Sequence, residues 1–149
     1  MPTVPFRSRT VTTSVTGTRN CEGNDVPARR KRAGQVPVRR WRVYTTRSGR
    51  APVRDFVATL TDEEAADVAA AMSDVRRDGV RAAKHVEGEI YEVKADSERQ
   101  TFRILFAQEG AHDQVLLALE GFSKKQQRLP RGKIDLAQRR LHDWRSRGR

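Results

Sequence analysis

The spacing of apolar positions changes its period several times along this chain, and each change predicts an element. Order begins near Arg39, where Trp41-Arg42-Val43-Tyr44-Thr45 alternates as a strand does, with Trp41 and Val43 on one face. Pro52 suits the first turn of a helix, where its missing N–H is an orphan donor in any case, and Val53, Phe56, Val57 and Leu60 fall on one side of that helix. Thr61-Asp62-Glu63-Glu64 reads as a capping box that restarts the chain as a second helix. Ala65, Val68, Met72 and Val75 form its apolar stripe, Arg76 and Arg77 lie in its last turn, and Gly79 is its C-terminal stop. The period then falls to two. Glu89 to Lys94, Thr101 to Ala107 and Gln114 to Leu119 read as three strands, joined by the polar turns Ala95-Asp96-Ser97-Glu98 and Glu109-Gly110-Ala111-His112-Asp113. Ile134, Ala137, Leu141 and Trp144 recur at helical spacing, so a final helix docks by that face.

This order predicts an α+β domain, an antiparallel sheet of about four strands packed against an N-terminal helical hairpin, with a basic C-terminal helix and the Trp41 strand at an edge. The domain spans residues 39–149. Residues 1–38 differ: they are rich in Thr, Ser, Arg, Pro, Gly and Val, show no period, and hold seven basic against two acidic residues. They read as a disordered basic tail. Its run Arg29-Arg30-Lys31-Arg32 suits an electrostatic anchor for RNA, and the alternative is a segment translated from a start codon placed too far upstream.

Composition narrows the class. An apolar share of 36% against a charged share of 33% in 149 residues leaves room for one modest core. The net charge of +11 points to a polyanionic partner. No apolar run approaches the roughly 18 residues of a membrane span, and no secretory leader is evident. One cysteine, Cys21, and three histidines, His85, His112 and His142, make a disulfide or a zinc site unexpected. A cytoplasmic protein with no metal and no cofactor is therefore expected. The charge is also polarised. Residues 121–149 hold ten basic and two acidic residues, net +8, whereas the whole of 39–149 nets +6. A polarised field steers a polyanion to one face.

The predicted strands place candidate chemistry on defined faces. Tyr91 and Val93 point one way, and Ile90, Glu92 and Lys94 the other; Phe102, Ile104 and Phe106 form a core face opposite Thr101, Arg103 and Leu105. Arg103 is thus a cation within Phe102-Arg103-Ile104-Leu105-Phe106, either paired across the strands with Glu92 or serving as a phosphate ligand on a rigid sheet. Beyond the third strand lies Glu120-Gly121-Phe122-Ser123-Lys124-Lys125-Gln126-Gln127-Arg128. Gly121 permits an unusual turn, Phe122 is either core or a platform for a base, and Lys124 and Lys125 would stand beside Arg103 if the third strand neighbours the second.

Trp41-Arg42-Val43-Tyr44, Ile90-Tyr91-Glu92-Val93-Lys94, Phe102-Arg103-Ile104-Leu105-Phe106, Gly121-Phe122-Ser123-Lys124-Lys125 and the Pro130 to Trp144 helix occur in a fixed order. Together they resemble the phage-derived branch of HigB toxins within the RelE/ParE superfamily, over roughly residues 39–146. The resemblance implies a RelE-like fold and a ribosome-associated endoribonuclease, an mRNA interferase, whose partners are translated mRNA and a helix-turn-helix antitoxin. It also implies roles. Lys94 matches a basic residue that acts as base or charge stabiliser, Arg103 the arginine on the scissile phosphate, and Lys124 or Lys125 the cation that supports the leaving group. Of those two, Lys125 is taken as the catalytic residue; Lys124, Phe122, Arg128 and Glu92 are taken as RNA-binding, with Glu92 at the site's edge.

Such cleavage needs no metal, because the substrate's own 2′-OH is the nucleophile and clustered cations stabilise the pentacoordinate transition state. Dependence on the ribosome follows if the ribosome holds the mRNA in a reactive pose. Some relatives carry a C-terminal tyrosine or histidine as proton carrier; here only His142 and Trp144 follow Lys125, and His142 reads as structural, as does His85 ahead of the sheet. Two rivals remain: a ParE-like toxin that inhibits DNA gyrase on the same fold, and a non-catalytic RNA-binding protein.

Overall fold

The computed structural model describes residues 38–124 and 128–148, apart from the Lys124 side chain. The expected tail, residues 1–37 of it, and Lys125 lie outside the described residues. Five strands and three helices follow in the order β1 (Arg40–Val43), α1 (Pro52–Ala58), α2 (Asp62–Asp78), β2 (Lys84–Glu87), β3 (Ile90–Asp96), β4 (Thr101–Glu109), β5 (Val115–Lys124) and α3 (Arg131–Ser146). The class is α+β. None of the described helices is long and apolar enough to cross a membrane.

The sheet differs from expectation in two ways. Its order is β1-β5-β4-β3-β2, and β1 runs parallel to β5 while the remaining pairs are antiparallel, so the sheet is mixed. The helices after β1 carry the chain across to the opposite edge at β2, so the meander that follows ends in β5 beside β1 and parallel to it. A fifth strand, β2, also precedes β3. It is four residues long, polar, and irregular between His85 and Glu87, so it has too few alternating positions to signal itself. His85 accordingly sits within the sheet, with its ring edge-on to Tyr91 at 5.3 Å and Nε2 2.8 Å from the Gly88 carbonyl.

Local chemistry explains the helix boundaries. The Thr61 hydroxyl accepts the Glu64 N–H at 3.2 Å, and the Glu64 carboxylate accepts the Thr61 N–H at 3.1 Å, the reciprocal box that starts α2. Gln100, in the turn between β3 and β4, donates to the other Glu64 oxygen, and these bonds hold the Glu64 carboxyl below the usual range. At the far end, Gly79 takes φ +72° and the Arg39 guanidinium donates to the Arg77 carbonyl at 3.2 Å.

Both faces of the sheet are covered. On one, Val93, Phe102, Ile104, Phe106, Leu116 and Ala118 pack with Val53, Val68 and Val75 of α1 and α2. Trp41 fixes the β1 edge to that layer, through a hydrogen bond from Nε1 to the Met72 carbonyl at 2.8 Å and an edge-on contact with Phe106 at 5.0 Å. On the other, Ile90, Leu105, Ala107, Leu117 and Leu119 pack with Ala137 and Leu141 of α3, with Trp144 at the margin. Phe102, Leu105 and Phe106 are wholly inaccessible, so β4 is central on both sides.

A bulge in β5 sets the later residues. Leu105 pairs with Glu120 but Phe106 with Ala118, so Leu119 is an extra residue. Alternation is broken there: Leu119 packs towards α3, Glu120 bonds to α3 side chains, and Gly121 faces α1. The Gly121-Phe122-Ser123-Lys124 motif therefore continues β5 rather than turning beyond it. Gly121 has no positive φ; the absence of a side chain instead admits the Phe56 ring, whose Cδ1 would lie 2.5 Å from an added Cβ, with Ile104 Cδ1 at 2.9 Å. Gly121→Ala is expected to cost about 1–3 kcal/mol through overpacking, read as a lower urea midpoint. In a Phe56→Ala background the same change should cost less than about half as much. Equal costs in both backgrounds would show that the ring is not the constraint.

Candidate nucleic-acid interface

Strand register brings part of the expected site together. Lys94 of β3 is directly opposite Arg103 of β4, and Arg103 is opposite Phe122 of β5, so the three form one row across the sheet. Two residues further out along each strand, Asp96, Thr101 and Lys124 are register partners in turn. Lys94 is half exposed and its Nζ lies 2.9 Å from Asp96. Phe122 is half-buried at the edge of the α3 layer, with Lys133 Nζ 5.5 Å from its ring centre. Arg128 is exposed ahead of α3, and His142 is exposed on that helix.

Arg103 takes the paired option that the strand pattern left open. Its side chain is 7% exposed, its partner Glu92 is 4% exposed, and Nη1 donates to the Glu92 carboxylate at 2.6 Å. Its Nε–H is buried without an acceptor. Glu92 is thus an interior residue and not part of a rim. A buried pair of this kind adds little net stability, but removing one member strands the other charge in the interior.

The largest departure concerns the basic helix. Four of the five cations on α3, namely Arg131, Lys133, Arg140 and Arg145, bond to carboxylates of the sheet and its turns. Arg131 meets Glu87 at 2.6 Å, and Lys133 meets Glu120 at 3.1 Å. Arg140 also bonds to Glu120, and donates to the carbonyl of the bulged Leu119 at 2.7 Å. Arg145 bridges Glu89 at 2.6 Å and Glu109 at 2.8 Å. Near the end of the helix, Tyr44 donates to Asp143 at 2.5 Å and Arg147 closes on the same carboxylate. Of the seven cations beyond residue 124 whose side chains are described, five are therefore paired within the fold, Arg147 among them. Glu120 and Glu109 are buried, and no role was read for either from the sequence. The available signal was a carboxylate between apolar strand residues, which demands a cation.

Chemical shifts in acidity follow these bonds. The hydrogen bond from Arg145 holds the Glu89 carboxyl below its ordinary range and raises the guanidinium in turn. The Tyr44 hydrogen bond, then Arg147, does the same for Asp143, while burial followed by the Asp143 contact pushes the Tyr44 phenol up.

A family model described as phage derived protein Gp49-like (DUF891) matches residues 55–142, more than half of the chain, from α1 through most of α3. The chain belongs to this family. The Gp49-like match takes in Lys94, Arg103 and Phe122, and begins after β1. No curated protein matches the chain.

Two outcomes follow from the pairing. Glu92→Ala should cost about 3–5 kcal/mol in urea unfolding because Arg103 is left buried and unpaired; a loss below about 1 kcal/mol would mean that Arg103 reaches solvent. For Glu89 and Asp143 the folded pKa lies below the unfolded value, so their contribution is present above about pH 4 and is lost as pH falls through the lower folded value. The melting temperature should hold from neutrality to about pH 5 and drop below about pH 4, with a smaller drop in Glu89→Gln. An identical drop in that variant would remove Glu89 from the account.

Proposed function

We propose that this chain is the toxin of a toxin–antitoxin pair and that it cleaves translated mRNA on the ribosome without a metal. Membership of a phage-derived family associated with RelE-like toxins supports the first part. The observation that carries the second is the row of Lys94, Arg103 and Phe122, which sets an amine, a guanidinium and an aromatic ring on neighbouring strands. Arg103 is held by Glu92 before any substrate arrives. Pre-set donors of this kind stabilise charge without reorganising.

In the proposed reaction the 2′-oxygen attacks the adjacent phosphorus as the bond to the 5′-oxygen breaks, leaving a 2′,3′-cyclic phosphate and a 5′-hydroxyl. The 2′-OH gives up its proton and the departing oxygen gains one. Lys94 is assigned to the 2′-oxygen, Arg103 to the non-bridging oxygens and Lys125 to the leaving oxygen; Phe122, Lys124 and Arg128 hold the flanking RNA, and Glu92 fixes Arg103. A helix-turn-helix antitoxin is the expected neutralising partner.

One observation favours a second reading. Lys94 and Arg103 each already have a carboxylate partner, which suits an RNA-binding protein that does not cut. Mapping 5′ ends of cellular mRNA after controlled expression separates the readings. In-frame cuts within translated regions are expected, and Lys94→Ala should reduce them by about 100-fold, the usual scale of a general acid or base. Because Lys94 is half exposed, that variant should keep its stability within about 0.5 kcal/mol. Intact mRNA with DNA damage would move the chain to gyrase inhibition, and intact mRNA with intact DNA to RNA binding alone.

A further inference from the structure

With most cations of α3 paired, several described cations elsewhere form no ion pair, and four of them gather about β1. Arg39, Arg40 and Arg42 are nearly consecutive at β1, and Arg81 follows α2; among the described residues none of the four forms an ion pair with a carboxylate. The strand sends them to both sides. Arg39 lines a cavity of about 590 Å³ with Arg77, Asp78, Arg81 and Ala82. Arg42 lines another of about 490 Å³ whose wall includes Thr45, Trp144 and Arg147. Arg40 and Arg42 are exposed on the strand between them.

We propose that the β1 edge is a second polyanion surface, separate from the Lys94 row, which grips the phosphate backbone of structured RNA. Three features suit a polynucleotide. Residues two apart on a strand are separated by about 6.6 Å, which approximates the step between successive phosphates of a polynucleotide and allows Arg40 and Arg42 to meet neighbouring ones. Guanidinium groups pair with phosphate through two parallel donors. The Arg42 cavity also offers the Trp144 indole, a surface for an unstacked base.

The geometry holds these groups ready. The Arg39 guanidinium lies against Gly79, where an added Cβ would stand 2.9 Å from its Cζ, so this arginine is seated by the backbone at the end of α2. No described strand pairs with the outer edge of β1, which leaves the surface open along its length. The site is also remote from the Lys94 row. Arg40 is the register partner of Val115 and Arg103 that of Phe122, so seven residues of β5, about 23 Å, separate the two along the strand. The proposal is therefore independent of whether the row cleaves RNA.

The test is equilibrium binding of a labelled 12-base-pair RNA hairpin to the full chain over a range of salt concentrations. Three proteins are compared: wild type, Arg42→Glu with Arg81→Glu, and a pair of exposed charge reversals away from β1, Arg139→Glu with Arg99→Glu. All four positions are exposed, so circular dichroism should show unchanged folds. The first pair should weaken binding by about 10-fold or more and lower the salt slope by about one per arginine removed, and the second pair by no more than about 2-fold. Equal weakening by both pairs, or none by either, overturns the proposal. Displacement of the hairpin by polyglutamate at equal charge concentration would reassign the surface to an acidic protein and overturn it too.

Discussion

The protein depends on the seating of α3 against a sheet that is already apolar on its other side. Central strand β4 is buried on both faces, so without α3 the residues Leu105, Ala107, Leu117 and Leu119 would meet water. The helix brings a narrow apolar stripe, and carboxylates at Glu87, Glu89, Glu109 and Glu120 complete the contact through its cations. Apolar burial supplies the driving force, and the ionic ring sets where along the sheet the helix comes to rest. Exposed members of that ring add little individually, whereas Glu109 and Glu120, being buried, require their partners.

That division of labour changes the meaning of the net charge. A polarised distribution in sequence became a compensated one in space, because strands distant in the chain carry the matching acids. Among the described residues, the cations that form no ion pair include those of the edge strand. On the proposed reading, a polyanion would meet at β1 arginines that form no ion pair, and around Lys94 and Arg103 cations that must exchange one partner for the next. The second arrangement suits a site that acts only on a substrate delivered in position, since a loosely held chain would compete poorly with the resident carboxylates.

Much of the frame was legible residue by residue. Thr61 with Glu64, Pro52, Gly79 and the stripe Ile134, Ala137, Leu141 and Trp144 each follow from a local rule that the fold obeys. The adjacency of Lys94 with Arg103 was legible too, since hairpin strands pair in sequence. The parallel seating of β1 was not, because nothing local records direction. The short polar β2 offers too few positions for a period. Gly121 misled because glycine has two uses, and here the close approach of Phe56 rather than a turn required it. The pairing of Arg103 could be named from the strand pattern as an alternative but not chosen, since burial depth depends on a helix some thirty residues away in the chain.

The extra residue at Leu119 carries a consequence for how this molecule tolerates change in length. It acts as a phase shift: every position after it belongs to the layer opposite to the one that simple counting assigns. Losing that residue would restore plain alternation and keep Glu120 opposite Leu105 on the α3 side and Gly121 facing α1, whereas adding a paired residue ahead of Glu120 would turn each to the opposite layer. Elsewhere in the molecule an insertion lengthens a loop. Here a single residue decides which half of the protein the end of the strand belongs to.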